Sequence, residues 1–423
     1  MRTLRRTFYK YLGLHSLLIG LFPFFIPVFL WKQGFELGEI SLFIGAAGAG
    51  FCIGLYAWDR MRRALSLINL ILVSLLLEIL LLWNGHVLGM SFNVLLLLGI
   101  SYGVYNCFFW TTQRALFFEG IDTSNSGRRY GNLQIFVGFL LQVGIVAGGL
   151  LLEKAGYGHV VLVSAGLALA GFLMFCINNP GTPEAMTSFQ PVSVGDIFRF
   201  RDRDASRTVF VVDGLYLFLE SFFWVITLFL LVHESFATLG LLVLSLAVVF
   251  GILFYLLKNT IDRLGRRRIY RFAVALYALS WGFRALVDDD LPLAVLYVAL
   301  VLITFCTAFF RLAMNKRFYD LAKETLSHRY LVLKSYYSQI TIAVVFTVFG
   351  IAVLGKPDSE ALLVPVYWVA AAGSLVFLLY GAARYDRRDG VDVEEGLSAE
   401  APDYLRSRPS RTVYSSRADS DRA

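Results

Sequence analysis

The sequence predicts an all-α membrane protein with twelve transmembrane helices in two pseudo-symmetric six-helix bundles. Three observations predict it. The 423-residue chain is 57% hydrophobic and 16% charged, with 37 phenylalanines, which is too apolar for a soluble domain of that length. Its apolar runs recur at lengths near the ~20 residues that cross a hydrocarbon core. Its two halves also carry matching landmarks about half the chain apart. The turn Asp59-Arg60-Met61-Arg62-Arg63 pairs with Asp262-Arg263-Leu264-Gly265-Arg266-Arg267-Arg268. Gly13-Leu14-His15 pairs with Gly214-Leu215-Tyr216, Phe35 with Phe236, and Arg129-Tyr130 falls near Arg329-Tyr330. Such self-similarity in a hydrophobic chain marks two like-oriented bundles facing each other in a membrane.

Taken in order, the first bundle (1–178) holds spans 11–31, 39–58, 62–84, 91–118, 130–152 and 158–178. Arg5-Arg6 before the first run has the look of a leader. That run is of membrane length, contains Pro23 and Pro27 and lacks a small-residue cleavage site, so it reads as a retained span. A polar stretch, 179–207, with Pro180, Pro183 and Pro191, joins the halves as a cytoplasmic linker. The second bundle (208–384) holds spans 208–233, 236–257, 268–287, 291–315, 331–355 and 362–383. The last stretch, 385–423, is rich in Arg, Asp, Ser and Glu, cannot bury enough apolar surface to offset ordering, and is expected to be a disordered cytoplasmic tail.

Cations set the orientation. Arg2, Arg5, Arg6 and Lys10 precede span 1; Arg60, Arg62 and Arg63 follow span 2; Arg128 and Arg129 follow span 4. Arg199, Arg201, Arg203 and Arg207 follow span 6, then come the 263–268 turn and Lys316, Arg317, Lys323 and Arg329. The alternate loops carry only Lys32, Lys154 and Lys356, beside Glu36, Glu153 and the Asp288-Asp289-Asp290 run. The positive-inside rule places both termini in the cytoplasm of a plasma membrane, read as a bacterial inner membrane from the compact loops. The alternation supports the count of twelve, because one miscounted span would invert it downstream. The net charge of +7 is this topology signal plus attraction to an anionic leaflet, not a nucleic-acid surface. Cys52, Cys107, Cys176 and Cys306 fall within spans and read as packing residues.

With twelve spans, a parallel duplication and Asp262-Arg263-Leu264-Gly265-Arg266-Arg267-Arg268, the chain resembles the major facilitator superfamily over roughly residues 8–385. The first-half turn keeps Asp59, Arg60, Arg62 and Arg63 but lacks the turn glycine. The resemblance implies a central cavity lined by spans 1, 4, 7 and 10 and a rocking, alternating-access cycle. Gly144-Ile145-Val146-Ala147-Gly148-Gly149 is similar to the family's antiporter pattern, with Ile145 where that pattern has proline, and tilts the reading towards export.

An ionised group at mid-bilayer costs at least ~2.5–3.5 kcal/mol on insertion scales, so each one needs a reason. In span 7, Asp213, Tyr216, Glu220 and Thr227 share one helical stripe. Two readings of Glu220 stand side by side: a carboxylate that loads and releases the coupling proton, or one permanently paired with a cation of a neighbouring helix. Asp213 and His15 join it as proton-coupling candidates, His15 because imidazole changes charge near neutral pH. Tyr102, Asn106, Trp110 and Gln113 in span 4, with Tyr216, Thr304, Thr307 and Arg311, are the candidate substrate cavity, since rings and amides together suit a polar or amphipathic solute. The alternative for each is interhelical packing. Asp59, Arg60, Asp262, Arg263, Gly265, Arg266, Arg114 and Glu119 are the expected cytoplasmic gate. Lys334 is expected to snorkel, and Glu78 and Arg284 to lie at the interface.

Neither a nucleophile-base arrangement, nor a phosphate-cradling loop, nor a His/Cys metal pattern stands out, so no cofactor, no metal and no enzyme activity is expected. The expected partners are a small-molecule substrate, protons and the lipid bilayer. A secondary active transporter driven by a proton gradient is the leading expectation. A membrane-embedded enzyme on lipid-linked substrates, and a transporter-fold sensor signalling through its tail, are the alternatives.

Overall fold

The computed structural model describes residues 2–87, 91–120, 126–177, 190–201, 204–261, 266–324, 327–356 and 359–381. It describes backbone alone over 2–8, 67–68, 85–87, 116–120, 126–135, 253–261, 266–267, 320, 323–324, 327 and 359. Each of the twelve expected stretches is helical. The first is α1 (Arg2–Leu21), a 3₁₀ turn over Pro23–Phe25, and α2 (Ile26–Lys32). Pro23 and Pro27 explain the break, since proline lacks the amide that would continue the α ladder. Then come α3 (Leu37–Met61), α4 (Leu67–Val87), α5 (Phe92–Gly120), α6 (Ser126–Lys154) and α7 (Tyr157–Ile177). Helix α3 starts at a reciprocal cap, with Glu36 N donating to Glu39 Oε2 at 3.0 Å.

The linker is not featureless. It forms a short helix, α8 (Val194–Arg199), capped by Ser193, whose hydroxyl accepts from the Asp196 amide at 3.2 Å. The seventh stretch is α9 (Ser206–Phe218), a π turn over Leu219–Phe223, and α10 (Trp224–Leu231). It is followed by α11 (Phe236–Ile261), α12 (Arg266–Leu286), α13 (Leu293–Glu324), α14 (Ser327–Val353) and α15 (Leu363–Gly373), the last flanked by 3₁₀ turns.

Nine helical segments among the described residues are long and apolar enough to cross a membrane, and Asn69–Asn84 and Phe236–Ile252 are apolar but shorter. Large apolar side chains such as Leu162, Val248, Val298, Val348 and Val369 stand exposed on outer faces. Exposed apolar surface on that scale belongs in lipid. This is a multi-pass membrane protein.

Within the first half, α1 packs on α6 and α7, α3 on α5, and α4 on α5 and α7; within the second, α9 packs on α14, and α12 on α13 and α15. The most extensive packing between the halves is α3 on α14 and α6 on α11, with α2 also meeting α10. The α3–α5 approach depends on glycine. A Cβ on Gly50 would collide with the Ile100 backbone, and one on Gly103 with that of Ala47.

Candidate functional site

The described ion pairs inside the second half converge on Arg311 of α13. Its Nη1 donates to Asp213 Oδ1 at 2.6 Å and its Nε to Glu220 Oε2 at 3.0 Å. Asp213 and Glu220 lie seven residues apart, two turns of a helix, so both face α13. Lys334 of α14 reaches Asp213 Oδ2 at 3.0 Å. The hydroxyl of Tyr277, on α12, donates to Glu220 Oε1. Tyr277 is itself stacked on Phe310, with ring centroids 4.0 Å apart, and the Arg311 guanidinium lies 5.8 Å from the Tyr277 ring.

Glu220 sits in the π turn, where one extra residue widens the helix and re-aims the side chains around it. Such turns recur at functional sites. The cluster is not sealed. Side-chain exposure is 21% for Arg311, 16% for Glu220, 12% for Lys334 and 10% for Asp213, so these groups border accessible space.

A second guanidinium lies beside this cluster. Arg284 of α12 donates through Nη1 to Ser280 Oγ at 2.9 Å and through Nη2 to Thr307 Oγ1 at 2.8 Å. It lies over the rings of Trp281 (4.3 Å) and Trp224 (5.0 Å). Thr307 is one turn before Arg311 on α13, and Arg284 is two turns beyond Tyr277 on α12. Two expectations are corrected here. Arg284 is buried rather than interfacial, because the indoles stabilise its charge in place of water. Lys334 does not snorkel, because Asp213 offers a nearer counter-charge.

The first half holds a separate polar network. His15 is fully buried, its Nε2 2.8 Å from Tyr105 Oη and its Nδ1 3.6 Å from Glu78 Oε2, with Phe109 stacked on its ring. Glu78 is therefore not interfacial as expected. It is buried within the bundle, and nothing in the local sequence of α4 shows which of its faces turns inward. The structure brings His15 to Glu78, whereas Asp213 and Glu220 meet the second-half cations.

The span 4 stripe forms along α5. Trp110 Nε1 donates to Asn106 Oδ1 at 3.2 Å, Asn106 Nδ2 to the Tyr102 carbonyl at 2.9 Å, and Tyr102 faces Phe222 of the π turn at 6.4 Å. Gln113 is half-buried beside it. Tyr216 turns into the second bundle, donating to the Ala370 carbonyl at 2.5 Å and packing edge-on to Trp281. Thr304 bonds back to the Leu300 carbonyl at 2.8 Å.

Of the expected gate residues, Asp59 is buried. Its Oδ1 accepts from Arg62 Nε at 2.7 Å and lies 3.1 Å from His328 Nε2 on α14, while its Oδ2 accepts from the Val192 amide at 2.7 Å. One carboxylate thus ties the first half to both linker and second half. Arg60 lies over the exposed ring of Tyr56. The linker is held further by Arg329 Nη2 on Asp196 Oδ1 at 2.7 Å and by Tyr337, whose hydroxyl donates to the Ile197 carbonyl. Asp262, Arg263 and Gly265, and the side chains of Arg266 and Glu119, lie outside the described residues, as does the tail; Arg114 is half-buried on α5. At the opposite end Lys32 Nζ donates to the Glu234 carbonyl at 3.0 Å and lies 4.9 Å from the Phe236 ring.

No family model matches the sequence, and no curated protein matches it. Solved structures do. A single-site variant of the nucleoside transporter NupG superposes with a TM-score of 0.66 at 13% identity, covering 89% of this chain and 98% of that one. Another NupG structure gives 0.62 at 14% identity, covering 89% and 97%. The chain therefore shares the fold of NupG, over 89% of its own length and nearly the whole of that protein.

Proposed function

We propose that the protein is a secondary active transporter that moves a small solute by alternating access, coupled to protons at the Glu220–Arg311–Asp213 cluster. The observation that carries this reading is an ion cluster bordering accessible space at a π turn, in a chain with a transporter fold. A proton on Glu220 removes the charge that holds Arg311 Nε and frees that guanidinium for another partner. Solute binding and proton binding are linked through one residue. The Asp59 junction between α3, the linker and α14 is the proposed cytoplasmic gate, and the Lys32–Glu234 contact its counterpart on the other side.

The transporter reading is favoured over an enzyme because the charged cluster lies within the helices rather than at a membrane surface. Its fold neighbour carries nucleosides, so uridine belongs in the first panel of solutes. The test is solute flux into liposomes holding the purified protein, with Glu220→Gln as the variant. Loss of gradient-driven accumulation with retained exchange supports the role of Glu220. An unchanged response to the proton gradient removes it.

A further inference from the structure

A donor-and-acceptor balance of the second half is lopsided. The two carboxylates have four oxygens, and each has a donor: Arg311 and Lys334 on Asp213, Arg311 and Tyr277 on Glu220. The cations are not balanced in return. Arg311 Nη2, Arg284 Nε and Trp281 Nε1 are buried, and none has an acceptor among the described residues. Three buried donors without acceptors therefore lie along α12 and α13, while the comparable unmatched acceptors, Gln113 Oε1, Gln142 Oε1 and Glu78 Oε2, lie in the first half.

Charge tells the same story. Among the described residues, Arg311 and Lys334 pair with Asp213 and Glu220 while Arg284 bonds only to hydroxyls, so three cations stand against two anions. An uncompensated cation in a low-dielectric interior is costly unless a partner completes it. Nor do the hydroxyls complete Arg284, since Ser280 and Thr307 bring no charge. Arg311 and Arg284 present planar guanidinium edges, which suit carboxylate or phosphate oxygens better than an ammonium does. The rings of Trp281, Trp224, Tyr277 and Phe310 wall the same region.

We propose that the transported solute is a small organic anion, its acidic group held by Arg311 and Arg284 and its carbon skeleton against the surrounding aromatic rings. This rests on the transporter reading and adds the substrate class. It also gives the coupling a direction: a proton on Glu220 raises the positive charge of the cluster, so proton and anion load together.

The test is thermal unfolding of the purified full-length protein against matched pairs at fixed ionic strength, with sodium chloride as the control. The pairs are phenylacetate with phenylacetamide and gluconate with sorbitol; phenyl phosphate separates phosphate from carboxylate recognition, and uridine is the neutral rival. A ligand of the folded state raises the melting temperature by mass action. The expected result is a shift with at least one anion and none with its neutral partner. Arg284→Met restores charge balance, so it should fold with an unchanged or higher melting temperature while apparent anion affinity falls at least tenfold. Trp281→Phe removes one unmatched donor, and its smaller loss of affinity serves as the second variant.

No anion shift, equal shifts from the neutral partners, or undiminished anion binding in Arg284→Met would each overturn the proposal. Flux separates it from the reading on which it rests. Accumulation of uridine without anion binding leaves a transporter and removes the anion; anion binding without any flux leaves the site and removes transport.

Discussion

Asp213 and Lys334 show how buried charge is held in this molecule. Removing one partner leaves the other uncompensated, so Asp213→Asn should destabilise by about 3–5 kcal/mol. Removing both in Asp213→Asn/Lys334→Met should recover most of that loss. A double-mutant cycle on melting in detergent measures the coupling, and strict additivity would show that the contact contributes nothing. Part of this was legible in the sequence. Asp213 and Glu220 stand out because two carboxylates at helical spacing interrupt an apolar run, and Arg311 because it follows Thr304 and Thr307 on one face of its span. Their partners were not legible. Tyr277, Lys334, Arg284 and Glu78 look like interfacial or packing residues until the rotation of α12, α14 and α4 about their axes is known. That rotation is set by tertiary packing, which a single span does not encode.

Among the elements, α3 and α5 are held close by small residues facing backbone. Gly103→Val should lower the melting temperature strongly, since its side chain meets the Ala47 carbonyl rather than a movable side chain. Gly166→Ala on α7, where a Cβ meets nothing, is the control and should raise it slightly, by up to ~1 kcal/mol of helix propensity. Equal effects of the two changes would contradict the close-packing account.

The linker gives a pH prediction. The Ser193 backbone amide and hydroxyl, with Arg329 and Arg199, hold the half-buried Asp196 carboxyl below its usual range. A depressed carboxylate contributes stability that is present above its unfolded pKa and lost as pH falls through the folded value. Linker protection in hydrogen exchange should therefore decline on acidification below about pH 4. In Asp196→Asn it should be weaker at neutral pH and insensitive to that acid step. The short α8 within the linker was not legible in the sequence, because its signal is one Ser-x-x-Asp cap on six residues.

For the whole molecule, α3 with α14 and α6 with α11 make the most extensive packing between the halves, and Asp59 ties one end of the first pair to the linker. Under alternating access that end must open and close. Asp59→Asn weakens the junction, so a cysteine introduced at Ile342 of α14, which is buried against Gly48 of α3, should become more reactive to a water-soluble maleimide. Unchanged labelling would remove Asp59 from the gate. Hydropathy placed the apolar stretches, and among the described residues nine helical segments within them are long and apolar enough to cross a membrane. The helix breaks at Pro23 and at the π turn are finer than hydropathy resolves.

The most direct measurement is uptake of the best-binding solute of the thermal panel into proteoliposomes, with the proton gradient imposed in either direction and then abolished. The account predicts accumulation above equilibrium in one polarity for the native protein, and equilibration without accumulation for Glu220→Gln. Identical gradient-driven accumulation in both, or no solute movement in either, would contradict it.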